Sequence, residues 1–239
     1  AQTGIHIESD LPISVYAHQY HQLRSEAALI LPTPSLGQDY FVMSYFGYSN
    51  SNDEYPSEFL AVAVEDETVL TITPSARTLG GRSPGQSFSG TLDAGESYQV
   101  QAVAGNSFDL TGSRVQGDKP FALFGGARWT QVPTTCTARD NLYEQMYPVE
   151  TWGKRFILMK NQRVNFDLVR IMAAEDGTQI FRDNSFLTTQ NRGDYTTFNL
   201  TSSSMYIEAS KGILVAQYNV GSGCNGLANR TGDPSMLLV

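Results

Sequence analysis

The chain has 239 residues, 41% hydrophobic and 17% charged, which excludes a disordered chain and leaves room for one large domain or two small ones. With 16 Lys and Arg against 24 Asp and Glu, the net charge of -8 has the wrong sign for contacts to a nucleic-acid backbone or an anionic membrane surface. Its longest apolar stretches, such as Phe59 to Val64, fall far short of the roughly 20 residues a spanning helix needs.

Short runs of β-branched and aromatic residues, punctuated by Gly, Pro, Asn, Asp and Ser, recur from end to end and predict an all-β fold. The predicted strands are, in chain order, Ile5 to Ile7, Ile13 to Ala17, Tyr40 to Tyr45, Phe59 to Val64, Thr68 to Thr73, Tyr98 to Val103 and Phe121 to Phe124. They continue with Arg155 to Met159, Leu168 to Ala173, Thr178 to Phe181, Tyr195 to Leu200, Met205 to Ile207 and Ile213 to Tyr218. Phe59 to Val64 is apolar at every position, as a strand covered on both faces should be.

The sequence also repeats itself. Leu36-Gly37 followed by Tyr40-Phe41-Val42 is answered by Trp152-Gly153 followed by Arg155-Phe156-Ile157, an offset of 116 from Gly37 to Gly153. The run ending Glu65-Asp66-Glu67-Thr68 is answered by the run ending Glu175-Asp176-Gly177-Thr178 at an offset of 110, and Val115 to Phe124 by Ile207 to Ala216 at 92. A shrinking offset places extra residues of the first copy in connections, where insertions cost little. A repeat of about 100 residues suits one β-sandwich, so two tandem, related β-sandwich repeats are expected, 1–112 and 113–239, packed as a single unit.

Candidate chemistry is sparse. His18 and His21 lack the further ligands a metal needs and read as a solvated loop, so no metal or cofactor is assigned. Glu65-Asp66 and Glu175-Asp176 each sit between two strands and read as hairpin turns rather than acid/base pairs. Gly85 to Gly90 has the wrong spacing for a nucleophile elbow and reads as a flexible loop. No catalytic residue is assigned and the chain is expected not to be an enzyme; a carbohydrate-active enzyme would need two carboxylates about 5 to 10 Å apart in a cleft. The inserted segment from Tyr45 to Pro56 mixes rigid rings with small polar residues, as binding loops do, which makes Tyr45, Tyr48, Asn50, Asn52 and Tyr55 the candidate ligand-binding set.

Cys136 and Cys224 fit one long-range disulfide in an oxidising compartment, and a reduced pair would fit the same count. Their equivalent places in the repeat, each in the loop after a matched strand, favour the bridge. The sequons at Asn199 and Asn229 would carry glycans only in a eukaryotic secretory pathway. The chain opens Ala1-Gln2-Thr3 with neither an initiator Met nor an apolar targeting segment, as a secreted chain does after its signal peptide is removed; artificial trimming would look the same.

Several segments together resemble the N-terminal domain family of the IgG Fc-binding protein. The most distinctive is Glu144-Gln145-Met146-Tyr147-Pro148-Val149-Glu150-Thr151-Trp152-Gly153-Lys154, supported by Gly232-Asp233-Pro234-Ser235-Met236, Ser9 to Ala17, Ala63 to Val69 and Asp118 to Gly126. The resemblance spans nearly the whole chain. It implies a non-enzymatic extracellular recognition or adhesion module, secreted or attached to a cell surface, that binds a protein or glycan. It brings no catalytic residues. The two cysteines, fewer than in cysteine-richer animal members, lean toward a microbial surface protein. The alternative is a structural subunit that self-associates into a surface fibre through exposed strand edges.

Overall fold

The computed structural model describes residues 2–50, 53–105 and 107–239, and it is built almost wholly of antiparallel strands with three single-turn 3-10 helices. In the first half, one layer runs Phe88–Leu92, Thr68–Thr73, the start of Arg114–Thr130, then Gly37–Phe41. The other runs Gln2–Thr3, Glu96–Gln101, Ser57–Ala63, the end of Arg114–Thr130, then Asp140–Gln145. Arg114–Thr130 therefore belongs to both layers. Its residues 114–117 pair with Thr68–Thr73 and its residues 121–127 with Ser57–Ala63. Between them lies Asp118-Lys119-Pro120, where Pro120 has no N–H to donate and the strand turns the corner from one layer to the other.

The second half runs Arg155–Met159, Ser204–Ala209, Thr178–Arg182, Ser185–Gln190 in one sheet and Tyr195–Leu200, Asp167–Ala173, Ile213–Asn219, Ser235–Leu238 in the other. This is the pairing order of the first half, except that two strands, Ser204–Ala209 and Ile213–Asn219, occupy the places of the two parts of Arg114–Thr130 and that Gln2–Thr3 has no counterpart. A boundary between 112 and 113 would part Arg114–Thr130 from Gly37–Phe41, Ser57–Ala63 and Thr68–Thr73.

The acidic turns have matching chemistry. Thr68 Oγ1 donates to the Glu65 carbonyl at 2.7 Å, and Thr178 Oγ1 to the Glu175 carbonyl at 2.7 Å. Asp66 Oδ1 accepts from Ala94 N at 3.0 Å, as Asp176 Oδ1 does from Arg192 N at 2.9 Å. These bends are not hairpins, however. The strands on either side lie in different layers and never pair with each other, so each turn is an arch across the sandwich.

Other expectations change because tertiary partners, absent from local sequence, decide them. Residues 4–14 form no strand and Ile5 is 92% exposed. The strand expected at Tyr40 to Tyr45 ends at Phe41; residues 42–47 run on without a ladder, their backbone tied instead to Phe108, Thr111 and Ser113. Phe88–Leu92 is a strand at the sheet edge rather than part of a flexible loop. His18 and His21 lie on the exposed strand Val15–His21, not in a loop. Coverage on both faces belongs to Asp167–Ala173, buried at every position, whereas Ser57–Ala63 alternates between buried and half-buried. Val169 and Ile171 belong to an apolar cluster built from the second half alone, while Leu168 and Met172 join a core that runs into the first half through Tyr40, Met43 and Tyr45.

The disulfide Cys136–Cys224 is formed, with its Cα atoms 5.7 Å apart, and joins the loop after Arg114–Thr130 to the loop after Ile213–Asn219. Among the described residues no helix is long and apolar enough to cross a membrane.

Candidate functional site

The ribbon Tyr48–Ser49 with Glu54–Tyr55 carries two of the expected residues as a cross-strand pair, with Tyr48 opposite Tyr55. Asn50 closes its turn: Asn50 N donates to the Asp53 carbonyl at 3.0 Å and Asn50 Oδ1 accepts from Asp53 N at 2.9 Å. Asn52 lies outside the described residues. Gly47 admits the ribbon, because a Cβ there would stand 2.5 Å from the Tyr55 carbonyl oxygen.

The two rings stack, with centroids 6.5 Å apart, and Trp129 meets both edge-on, at 6.2 Å from Tyr48 and 4.8 Å from Tyr55. Three guanidinium groups surround them. Arg139 lies 4.0 Å from the Tyr48 ring centre, Arg128 5.6 Å from that of Tyr55, and Arg24 5.8 Å from that of Trp129. Arg24 is anchored by donating to the Arg128 carbonyl at 3.1 Å. Tyr48, Tyr55, Trp129, Arg24 and Arg139 are half-buried and Arg128 is exposed. Trp129 Nε1 and Arg139 Nε are buried donors with no hydrogen-bond partner among the described residues.

Beside this cluster a hollow of about 210 Å³ is lined by Gln19, His21, Arg24, Glu58, Arg128 and Asn141, among others. Glu58 Oε2 accepts from Gln99 Nε2 at 3.0 Å and Gln101 Nε2 at 2.8 Å, and burial raises its pKa above the ordinary carboxylate value. The assembled groups can stack on a partner, donate hydrogen bonds to it and supply positive charge.

Tyr45 does not join this face. It is 4% exposed, and its ring centre lies 4.3 Å from the guanidinium carbon of Arg170 in the core between the halves. Asn199 is exposed on Tyr195–Leu200, and Asn229 is exposed in the turn Ala228–Arg230. Arg24, Arg128, Trp129 and Arg139 were not expected at a site. They come from a hairpin, the end of the long strand and a loop, and only the topology gathers them; the one local hint is the adjacent pair Arg128-Trp129. Among the described residues no three His, Cys, Asp or Glu side chains come together as metal ligands would.

Comparison with known proteins agrees with the resemblance read from the residues. No solved structure matches the chain. The human IgGFc-binding protein is 28% identical over 246 residues, an alignment covering all of this chain and 4% of that protein. The chain thus spans a small fraction of its relative. The family model described as IgGFc binding protein matches residues 26–239, and the chain belongs to that family.

Proposed function

We propose that the chain is an extracellular binding module, without catalytic activity, that docks a protein partner on the face formed by Tyr48, Tyr55, Trp129 and the three arginines. The observation carrying this reading is that cluster: Trp, Tyr and Arg are the residues that dominate binding hot spots, and here all but the exposed Arg128 stand half-buried, with two donors unspent among the described residues. Membership of a family described by binding supports the module reading, and the human relative's name supports a protein as ligand class. The disulfide supports an oxidising, extracellular setting. The matched strand orders and arches support two related sandwich units packed as one body, with Arg114–Thr130 completing the first.

The test is an array of secreted and cell-surface proteins probed with the intact chain and with the Tyr48→Ala, Tyr55→Ala double variant. A saturable protein ligand whose affinity falls about thirtyfold or more in the variant is expected. Equal binding by a variant with unchanged circular dichroism, or no protein ligand at all, would overturn the reading.

A second reading, self-association, is favoured by the segment 4–14, where Ile5, Ile7, Leu11 and Ile13 are exposed outside any strand. A molecular mass that stays monomeric across a hundredfold range of concentration would remove it.

A further inference from the structure

We infer that the groove between the two halves is a binding site for a neutral saccharide, distinct from the aromatic and arginine face. The groove has a volume of about 610 Å³, within the roughly 300–1,000 Å³ common for small-molecule sites. Ser75 and Thr111 of the first half stand on one wall, their hydroxyls engaged by Ser113 and by Asp109 and Arg170, and Thr188, Thr189 and Thr196 of the second half bring hydroxyl groups to the other. Tyr195 adds a half-buried ring. The halves approach closely here: a Cβ on Gly112 would stand 3.0 Å from the Gly193 carbonyl oxygen, and both residues have the left-handed backbone that glycine tolerates.

Gln190 tells what the groove lacks. It is 4% exposed and donates from Nε2 to the Ile171 carbonyl at 3.2 Å and to Thr196 Oγ1 at 2.8 Å. Its Oε1 is buried without a hydrogen-bond partner among the described residues, a costly condition that an incoming O–H or N–H donor relieves. The charges at the groove are already spent or balanced. Asp109 Oδ2 lies 2.7 Å from Arg170 Nη1, and the remaining pair, Arg192 and Asp194, carries one charge of each sign.

A ligand matching this surface offers many hydroxyl groups, no net charge and an apolar face for Tyr195. An apolar ring would leave the Gln190 side-chain oxygen unsatisfied, and a charged ligand would find no unbalanced charge to pair with. A sugar meets all three demands.

The test is a titration of the full ¹⁵N-labelled chain with a set of neutral di- and trisaccharides, and with an acidic trisaccharide for comparison. Saturable shifts confined to amides of residues 109–112 and 188–196 are expected with a neutral sugar. Thr189→Trp, which fills the groove from its exposed rim, should weaken binding at least tenfold, as should Gln190→Leu, while the Tyr48→Ala, Tyr55→Ala variant should bind the sugar normally. Failure at the protein-docking face therefore leaves this result unaffected. No shifts with any neutral sugar, shifts elsewhere, binding of the acidic sugar alone, or binding unchanged in Thr189→Trp would each overturn the inference.

Discussion

Arg170 is the residue on which the packing of the halves turns. It is 1% exposed, its Nη1 donates to the Ser44 carbonyl at 2.8 Å and to Thr111 Oγ1 at 2.8 Å, and Tyr218 O–H donates to the same Ser44 carbonyl at 2.7 Å. Burial opposes its charge, but the Asp109 carboxylate and the hydroxyls of Tyr218, Tyr195 and Tyr45 outweigh that and hold its pKa above the ordinary value. Removing one member of such a pair strands the other. Arg170→Ala should cost about 3 to 5 kcal/mol in urea unfolding, and Arg170→Met combined with Asp109→Leu should recover most of the loss. A stable Arg170→Ala would show that the pair does not hold the halves together. The residue was legible in part, since a lone charge stands in the otherwise apolar run Leu168 to Ala173 after a single Asp. Its partners were not, being 59 to 126 positions away, and for the same reason nothing near Tyr45 could separate it from Tyr48 and Tyr55.

At the scale of elements, the hairpin of Val15–His21 and Arg24–Ile30 is held by side chains of Asp140–Gln145 and by Ser235–Leu238. Ser25 N donates to Asp140 Oδ1 at 3.0 Å, Leu31 N to Gln145 Oε1 at 2.7 Å and Met236 N to Glu26 Oε2 at 3.2 Å. Burial pushes three carboxyl groups at this seam up, Asp140 to about 6, Glu26 to about 7 and Glu144 to about 8, the last further raised by the facing Glu26. Folded values above unfolded ones mean that the native state holds more protons between about pH 4 and pH 8. Stability should therefore fall as pH rises through that window, by several kcal/mol from pH 5 to pH 8. Glu144→Gln should reduce the slope by raising stability at pH 8, read from urea midpoints at the two pH values; an unchanged slope would free Glu144 of that role. Central strands such as Thr68–Thr73 and Ile213–Asn219 announced themselves by β-branched runs. Phe88–Leu92, Ser185–Gln190 and Ser235–Leu238 did not, because a strand at a sheet edge exposes much of its length and needs few apolar residues.

For the whole molecule, the all-β class and the Cys136–Cys224 bridge were readable because composition and equivalent loop positions report directly on them. The bridge closes a separation of 88 residues, for which chain entropy gives about 4.5 kcal/mol of stabilisation. Reductant, or replacing both cysteines with Ser, should lower unfolding stability by about that amount, and intact mass under non-reducing conditions should show no free thiol. Two free thiols in the purified native chain would refute it.

The corner at Asp118 to Pro120 has its own consequence for how the protein comes apart. One continuous strand threads both layers of the first half, so neither layer can fray without dragging on the other, and that half should open as an all-or-none block. In the second half the corresponding path is cut between Ser204–Ala209 and Ile213–Asn219, and its layers are free to loosen one at a time.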